Sequence, residues 1–169
     1  LQGMREDHYN LFHAGYLLHT GGNKLSLLHW AVITPFISIV AIPLLFKHLH
    51  RIHTGWFLLP IPLLLFIYFA GRYPMQSGES IIHSVPWIPS MDVHFTVYLD
   101  SLTLLFALLI TGIGFLVVLY SIFYLSKEKE SLHQFYVYLL CFMGAMLGVV
   151  LSDNLIVLYT FWELTSISS

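Results

Sequence analysis

Apolar residues in this chain come in long runs, with polar residues confined between them. Four runs stand out, from about Leu27 to Phe46, Gly55 to Ala70, Leu99 to Leu125 and Phe135 to Leu151. A fifth starts near Leu155 and is still apolar at Ser169. At ~1.5 Å of rise per residue, a helical run the length of the first spans a hydrocarbon core of ~30 Å. The second run is short, and Pro60 and Pro62 near its start predict a kink or an irregular turn. The fifth reaches only ~22 Å by Ser169, so it reads as an incomplete span and the whole as a piece of a longer parent or a truncated product. The expected fold is all-α, a polytopic transmembrane helix bundle with four full spans and a truncated fifth.

The polar intervals organise the runs. Gly71 to Tyr98 carries Pro74, Gly78, Pro86 and Pro89, with Trp87 and Tyr98 as expected membrane-interface anchors. Within it, His94–Leu99 alternates weakly and is compatible with a short strand. Lys127-Glu128-Lys129-Glu130 forms a compact charged loop, and Ser152-Asp153-Asn154 is a helix N-cap signal before the fifth run. Lys47 and Arg51 follow the first span, and Lys127 and Lys129 the third. The positive-inside tendency places both loops in the cytoplasm and the N-terminus outside, with Arg72, Arg5 and Lys24 on the opposite side.

Residues 1–24 are polar, unpatterned and begin with Leu. They lack the apolar core and small-residue cleavage site of a signal peptide. We expect them to be a disordered stretch or a leader read in frame. Gly21-Gly22 can be encoded by GGAGGT, which resembles a bacterial ribosome-binding site, and Leu25 by the start codon TTG. N-terminal sequencing that recovers residues before Leu25 rejects that start. Residues 25–169 then form one transmembrane region.

Composition narrows the class. The 169 residues are 57% hydrophobic and 9% charged, against roughly 25% charged in soluble domains. A net charge of −2 offers no basic field for nucleic acid. A single cysteine excludes a disulfide framework and a cysteine-based metal site. The histidines of HLHRIH, His48, His50 and His53, do not match a helical ligand face and have no nearby carboxylate, so no metal is expected. His29 and His133 read as interfacial, Cys141 as packing.

Glu163 is the most informative residue. Counted from Leu155 it lies ~13 Å into the fifth run, near the middle of a ~30 Å core. An ionised group there costs roughly 2.5–3.5 kcal/mol even on mild insertion scales, faces the bundle interior as a rule and marks a proton or ion path. Tyr159, Thr160 and Ser166 share its helix face, and Thr165, Ser168 and Ser169 add hydroxyls nearby. The alternative is that Glu163 only ties two helices together. Its expected cationic partner is absent from the spans of this chain. Asp100 and Asp153 are secondary candidates, each either a helix N-cap or a loading or coupling site at the outer mouth. Gly144 and Gly148 form a GxxxG that lets a neighbouring helix approach closely.

The string DNLIVLYTFWELTSISS resembles the fifth-helix motif of the antiporter-like subunits shared by Mrp cation/proton antiporters and respiratory complex I. Its WELTSISS ending is similar to the A-type branch of the Mrp subunits; complex I relatives more often carry a WEG-type string. The resemblance continues through RIHTGWFLLPIPLLLF, VPWIPSMDVHFTVYLDSLTLLFALLITGIG and YVYLLCFMGAMLGVVLSDN, and so covers about Leu25 to Ser169. It implies a component of a hetero-oligomeric bacterial membrane complex that exchanges Na+ for H+ on the proton-motive force, without cofactor or covalent chemistry. It implies that Glu163 is a proton-path residue working with a lysine on a later helix. Neither that lysine nor the later broken helices are present here. The alternatives are a proton-translocating component of a redox complex, or a remnant that inserts and assembles without transport.

Overall fold

The computed structural model describes residues 25–48, 54–73, 80–88, 90, 93–125 and 132–169. Arg5, Lys24, His50, Arg51, His53, Lys127 and Lys129, which bear on the expected orientation and on the metal question, lie outside them. Among the described residues, six helices and one two-stranded ribbon follow in the order α1 (Leu27–His48), α2 (Thr54–Leu58), α3 (Pro60–Ala70), β1 (Ile81–Ile88), β2 (Val93–Leu99), α4 (Ser101–Tyr124), α5 (Leu132–Leu151) and α6 (Leu155–Ser168).

The prolines near the start of the second run divide it. The chain turns at Leu59, and α3 begins at Pro60, where the missing N–H falls on a helix position that needs no donor. Asp100 starts α4, its carboxylate accepting the Thr103 backbone N–H at 2.8 Å. Buried positions along α4 fall at Leu104, Ala107, Thr111, Gly114, Val118 and Ser121, a spacing of three and four that makes one stripe of the helix. The matching stripe of α5 runs from Leu132 through Tyr136 and Leu140 to Leu151. Polar groups in this seam are satisfied, as burial requires. Thr111 Oγ1 donates to the Ala107 carbonyl at 2.7 Å. Ser121 Oγ donates to the Val118 carbonyl at 2.7 Å, which leaves its oxygen to accept from Tyr136 Oη at 2.9 Å.

The all-α expectation needs one correction, because the Gly71–Tyr98 interval contains a sheet. Val93, Phe95, Val97 and Leu99 alternate along β2, and three of them are buried. β1 pairs with it antiparallel, from Ile81 opposite Leu99 to Ile88 opposite Val93, with an irregularity at Pro86/Ile88. Pro86 lacks a donor and suits an edge strand. An isolated two-stranded ribbon is marginal in water, but β2 is also tied to the helices. Val97 bridges Ser152, and the Asp153 N–H donates to the Thr96 carbonyl at 3.1 Å.

Among the described residues, two helices are long and apolar enough to cross a membrane, α4 and α5. The apolar helical stretches Leu27–Val40, Thr54–Ala70 and Leu155–Ser168 are shorter. Contacts sort the ends of the helices into two groups. The starts of α1, α4 and α6 and the end of α5 gather at the ribbon. The end of α4 meets α2 through Trp56 and Phe123, whose rings stand 6.4 Å apart, and meets the start of α5 through Ser121 and Tyr136.

Candidate functional site

The candidate site is α6, and three contacts hold it. Asn154 caps its start, its side-chain oxygen accepting the Ile156 N–H at 2.9 Å. The cap expected from Ser152-Asp153-Asn154 therefore falls to Asn154. Asp153 contributes its backbone N–H to the ribbon. In the middle, the Phe161 ring lies directly on Gly148, where any Cβ would collide with it. At the far end, Ser168 is buried beside Cys141 of α5.

These contacts fix which side of α6 faces away from α5. Glu163 lies on that other side, exposed among the described residues, together with Tyr159, Thr160 and Ser166. The four share a face, as the helical spacing requires. Tyr159 stands one helical turn before Glu163, its phenol on the side of the carboxylate. The other hydroxyls turn back on the helix: Thr160 Oγ1 donates to the Ile156 carbonyl at 2.9 Å and Thr165 Oγ1 to the Trp162 carbonyl at 2.6 Å. Ser166 Oγ reaches the same Trp162 carbonyl at 3.5 Å. The expected inward-facing carboxylate surrounded by hydroxyls is not seen among the described residues: Glu163 is exposed on the side of α6 away from α5, with the Tyr159 phenol beside it.

The other candidates take ordinary structural places. Asp100 is the cap of α4, just outside the apolar helix, and the Thr103 donors hold its carboxyl below the usual carboxylate range. Gly144 faces α1, where a Cβ would stand 2.9 Å from the Phe36 ring and 3.1 Å from Pro35 Cβ. The GxxxG thus receives two helices, α1 at Gly144 and α6 at Gly148. His133 is exposed near the start of α5. Among the described residues no cluster of three or more His, Cys, Asp or Glu side chains is placed to hold a metal ion.

His29 departs from its expected interfacial position, because it is fully buried. Its Nε2 lies 3.0 Å from the Phe95 carbonyl of β2. A carbonyl only accepts, so Nε2 carries the hydrogen. Nδ1 then accepts from Ser26, whose hydroxyl lies at 2.8 Å and whose backbone N–H lies at 3.3 Å. His29 thus reaches back to the N-cap amide as Glu or Gln does in a capping box. The S-x-x-H pattern at Ser26–His29 was the available signal, obscured because an apolar run hides its own cap.

This architecture has known counterparts. The family model described as NADH-ubiquinone oxidoreductase (complex I), chain 5 N-terminus, matches residues 87–136. The sequence is 64% identical over 146 residues to the Na+/H+ antiporter A subunit of Alkalihalophilus pseudofirmus, covering 86% of this chain and 18% of that protein. It is 61% identical over the same length to the A1 subunit of the Na+/H+ antiporter of Staphylococcus haemolyticus, with the same coverage. The chain therefore spans about one fifth of these relatives. Among solved structures, the Mrp complex from Dietzia sp. superimposes with a TM-score of 0.72 at 30% identity, over 85% of this chain and 15% of that one. An archaeal membrane-bound sulfane sulfur reductase shares the fold, with a TM-score of 0.65 at 19% identity over 82% of this chain and 21% of that one.

Proposed function

The chain belongs to the family of Na+/H+ antiporter A subunits, and from that premise we propose that it forms part of the membrane portion of a multisubunit cation/proton antiporter. The exchange is Na+ against H+, driven by the proton-motive force, in a bacterial cell membrane. Its partners are the other subunits of a hetero-oligomeric Mrp-type complex, and its ligands are Na+ and H+.

The observation that carries this reading is the placement of Glu163. It lies ~13 Å along an apolar helix, counted from Leu155, on the side opposite the contacts with α5. In hydrocarbon an ionised carboxylate is stabilised only by a partner, by water or by protonation. Each of those is what a proton path supplies. The Tyr159 phenol beside it favours the ionised form of the carboxylate, whose remaining lone pairs stay free to take up a proton. A cation brought beside Glu163 lowers its proton affinity, and withdrawing that cation raises it. Proton movement is then driven by electrostatics alone, with no bond made or broken in the protein. The polar starts of α4 and α6, at Asp100 and Asn154, lie at the outer end on the expected orientation.

The test is Glu163→Gln in the complete complex, which keeps size and hydrogen bonding but removes the titrating proton. Na+-dependent proton movement in everted vesicles should fall about tenfold or more, the scale on which a positioned acid–base group acts, while the complex still assembles. Normal antiport by that variant rejects the assignment. A second reading, a proton-translocating component of a redox complex, is favoured by the family model matching residues 87–136. It is separated by supplying Na+ without an electron donor: antiport proceeds on the first reading and is absent on the second.

A further inference from the structure

An aromatic row crosses the molecule from His29 to α6. The His29 ring meets the Phe95 ring edge-on, with centroids 4.9 Å apart and planes at 81°. Phe95 lies 6.0 Å from Phe161, and Phe161 stacks 6.3 Å from Phe36. The same Phe161 ring sits on Gly148 with no room for a side chain beneath it. Phe161 is two residues from Glu163.

The rest of α6 packs along α5. Its buried residues are Val157 and Ser168, one near each end. Side chains of small contact area do not fix a helix's rotation well, whereas a ring wedged against backbone does. The azimuth of α6 thus depends on where Phe161 rests, and that depends on Phe95. Phe95 in turn is located by β2, whose carbonyl at that residue is held by His29 and whose next carbonyl is held by Asp153. Buried histidine suits the task because its two ring nitrogens reach opposite ways, one to the cap of α1 and one to the ribbon.

We propose that His29 is a positioning residue for Glu163: it clips β2 to the start of α1, and through Phe95 and Phe161 it sets the rotation of α6. The functional consequence rests on Glu163 acting in the proton path, the reading proposed for the chain; the positional one does not.

The experiment therefore reads position and transport separately, in membranes containing the whole complex. Position is read with Glu163→Cys in a Cys141→Ala background, as the rate of labelling by a small cationic methanethiosulfonate. Transport is read as Na+-dependent proton movement with Glu163 intact. His29→Leu removes every hydrogen bond of the ring, to Ser26 and to the Phe95 carbonyl, and should change the labelling rate severalfold and lower antiport severalfold per assembled complex. His29→Gln restores a donor near the place of Nε2 and should return both readings to within about twofold of the parent. A labelling rate unchanged by His29→Leu overturns the proposal, and so does His29→Gln behaving as His29→Leu does. If His29→Leu fails to assemble, Phe95→Leu decides. It keeps the backbone carbonyl and apolar bulk but loses the ring, and an unchanged labelling rate there overturns the proposal equally. Normal antiport by Glu163→Gln, with labelling still sensitive to His29, rejects the functional reading and leaves the positioning intact.

Discussion

Single residues divide here into those that terminate helices and those that sit where termination is no explanation. Asp100 is of the first kind: its carboxylate accepts the Thr103 N–H at 2.8 Å. Asp100→Ala should destabilise the start of α4 by about 0.5–2 kcal/mol, and Asp100→Asn by much less, since asparagine caps as well. Thermal stability of the purified complex measures both. If Asp100 instead loads ions, Asp100→Asn abolishes antiport while leaving stability intact. Because the Thr103 donors lower its proton affinity in the fold, the cap's charge-dependent contribution is present above the ordinary aspartate range near pH ~4 and disappears as pH falls through the lowered value. Glu163 is of the second kind. No helix end, cap or salt bridge among the described residues accounts for it, and the proposed role in proton movement starts from that position.

Elements pack through small residues and a few interhelical hydrogen bonds, the forces available where lipid offers no hydrophobic contrast. Gly148→Ala places a methyl against the Phe161 ring and should cost about 1–3 kcal/mol, the range for overpacking. Gly144→Ala meets the edge of Phe36 and should cost less, because a ring edge can yield where a wedged ring cannot. Resistance to detergent-induced unfolding ranks the two variants. Across the α4–α5 seam, a double-mutant cycle of Ser121→Ala and Tyr136→Phe should report a coupling near ~0.6 kcal/mol and no more than ~1.7 kcal/mol, since the two hydroxyls are 2.9 Å apart and buried. A coupling of zero means that each hydroxyl finds another partner.

At the scale of the whole molecule, the ribbon organises one end of the helices. β2 touches α1 through His29 and the α5–α6 turn through Ser152 and Asp153, and it leads directly into α4, so four helix ends share one strand. Large apolar side chains remain exposed along α4, including Leu105, Leu109, Leu116 and Phe123. In a membrane protein such a stripe is the surface that lipid or a neighbouring protein covers.

Apolar run length determined the helices, because a segment of that composition must satisfy its backbone internally wherever water is scarce. The proline break at Leu59–Pro60, the Asp100 cap and the face shared by Tyr159, Thr160, Glu163 and Ser166 follow from local rules of φ, capping and helical period. The sequence also carried the GxxxG, but not which helices enter it. That choice belongs to tertiary structure, where Phe36 and Phe161 arrive from segments far apart in the chain. The ribbon was half legible: the alternation of His94–Leu99 marked β2, while β1 is interrupted by Pro86 and defined only by its partner's hydrogen bonds. His29 was misjudged because burial is a property of what packs on a residue, and Phe95 lies 66 positions away. Local chemistry sets what each segment can form; long-range contacts alone decide which faces, and which buried polar groups, meet.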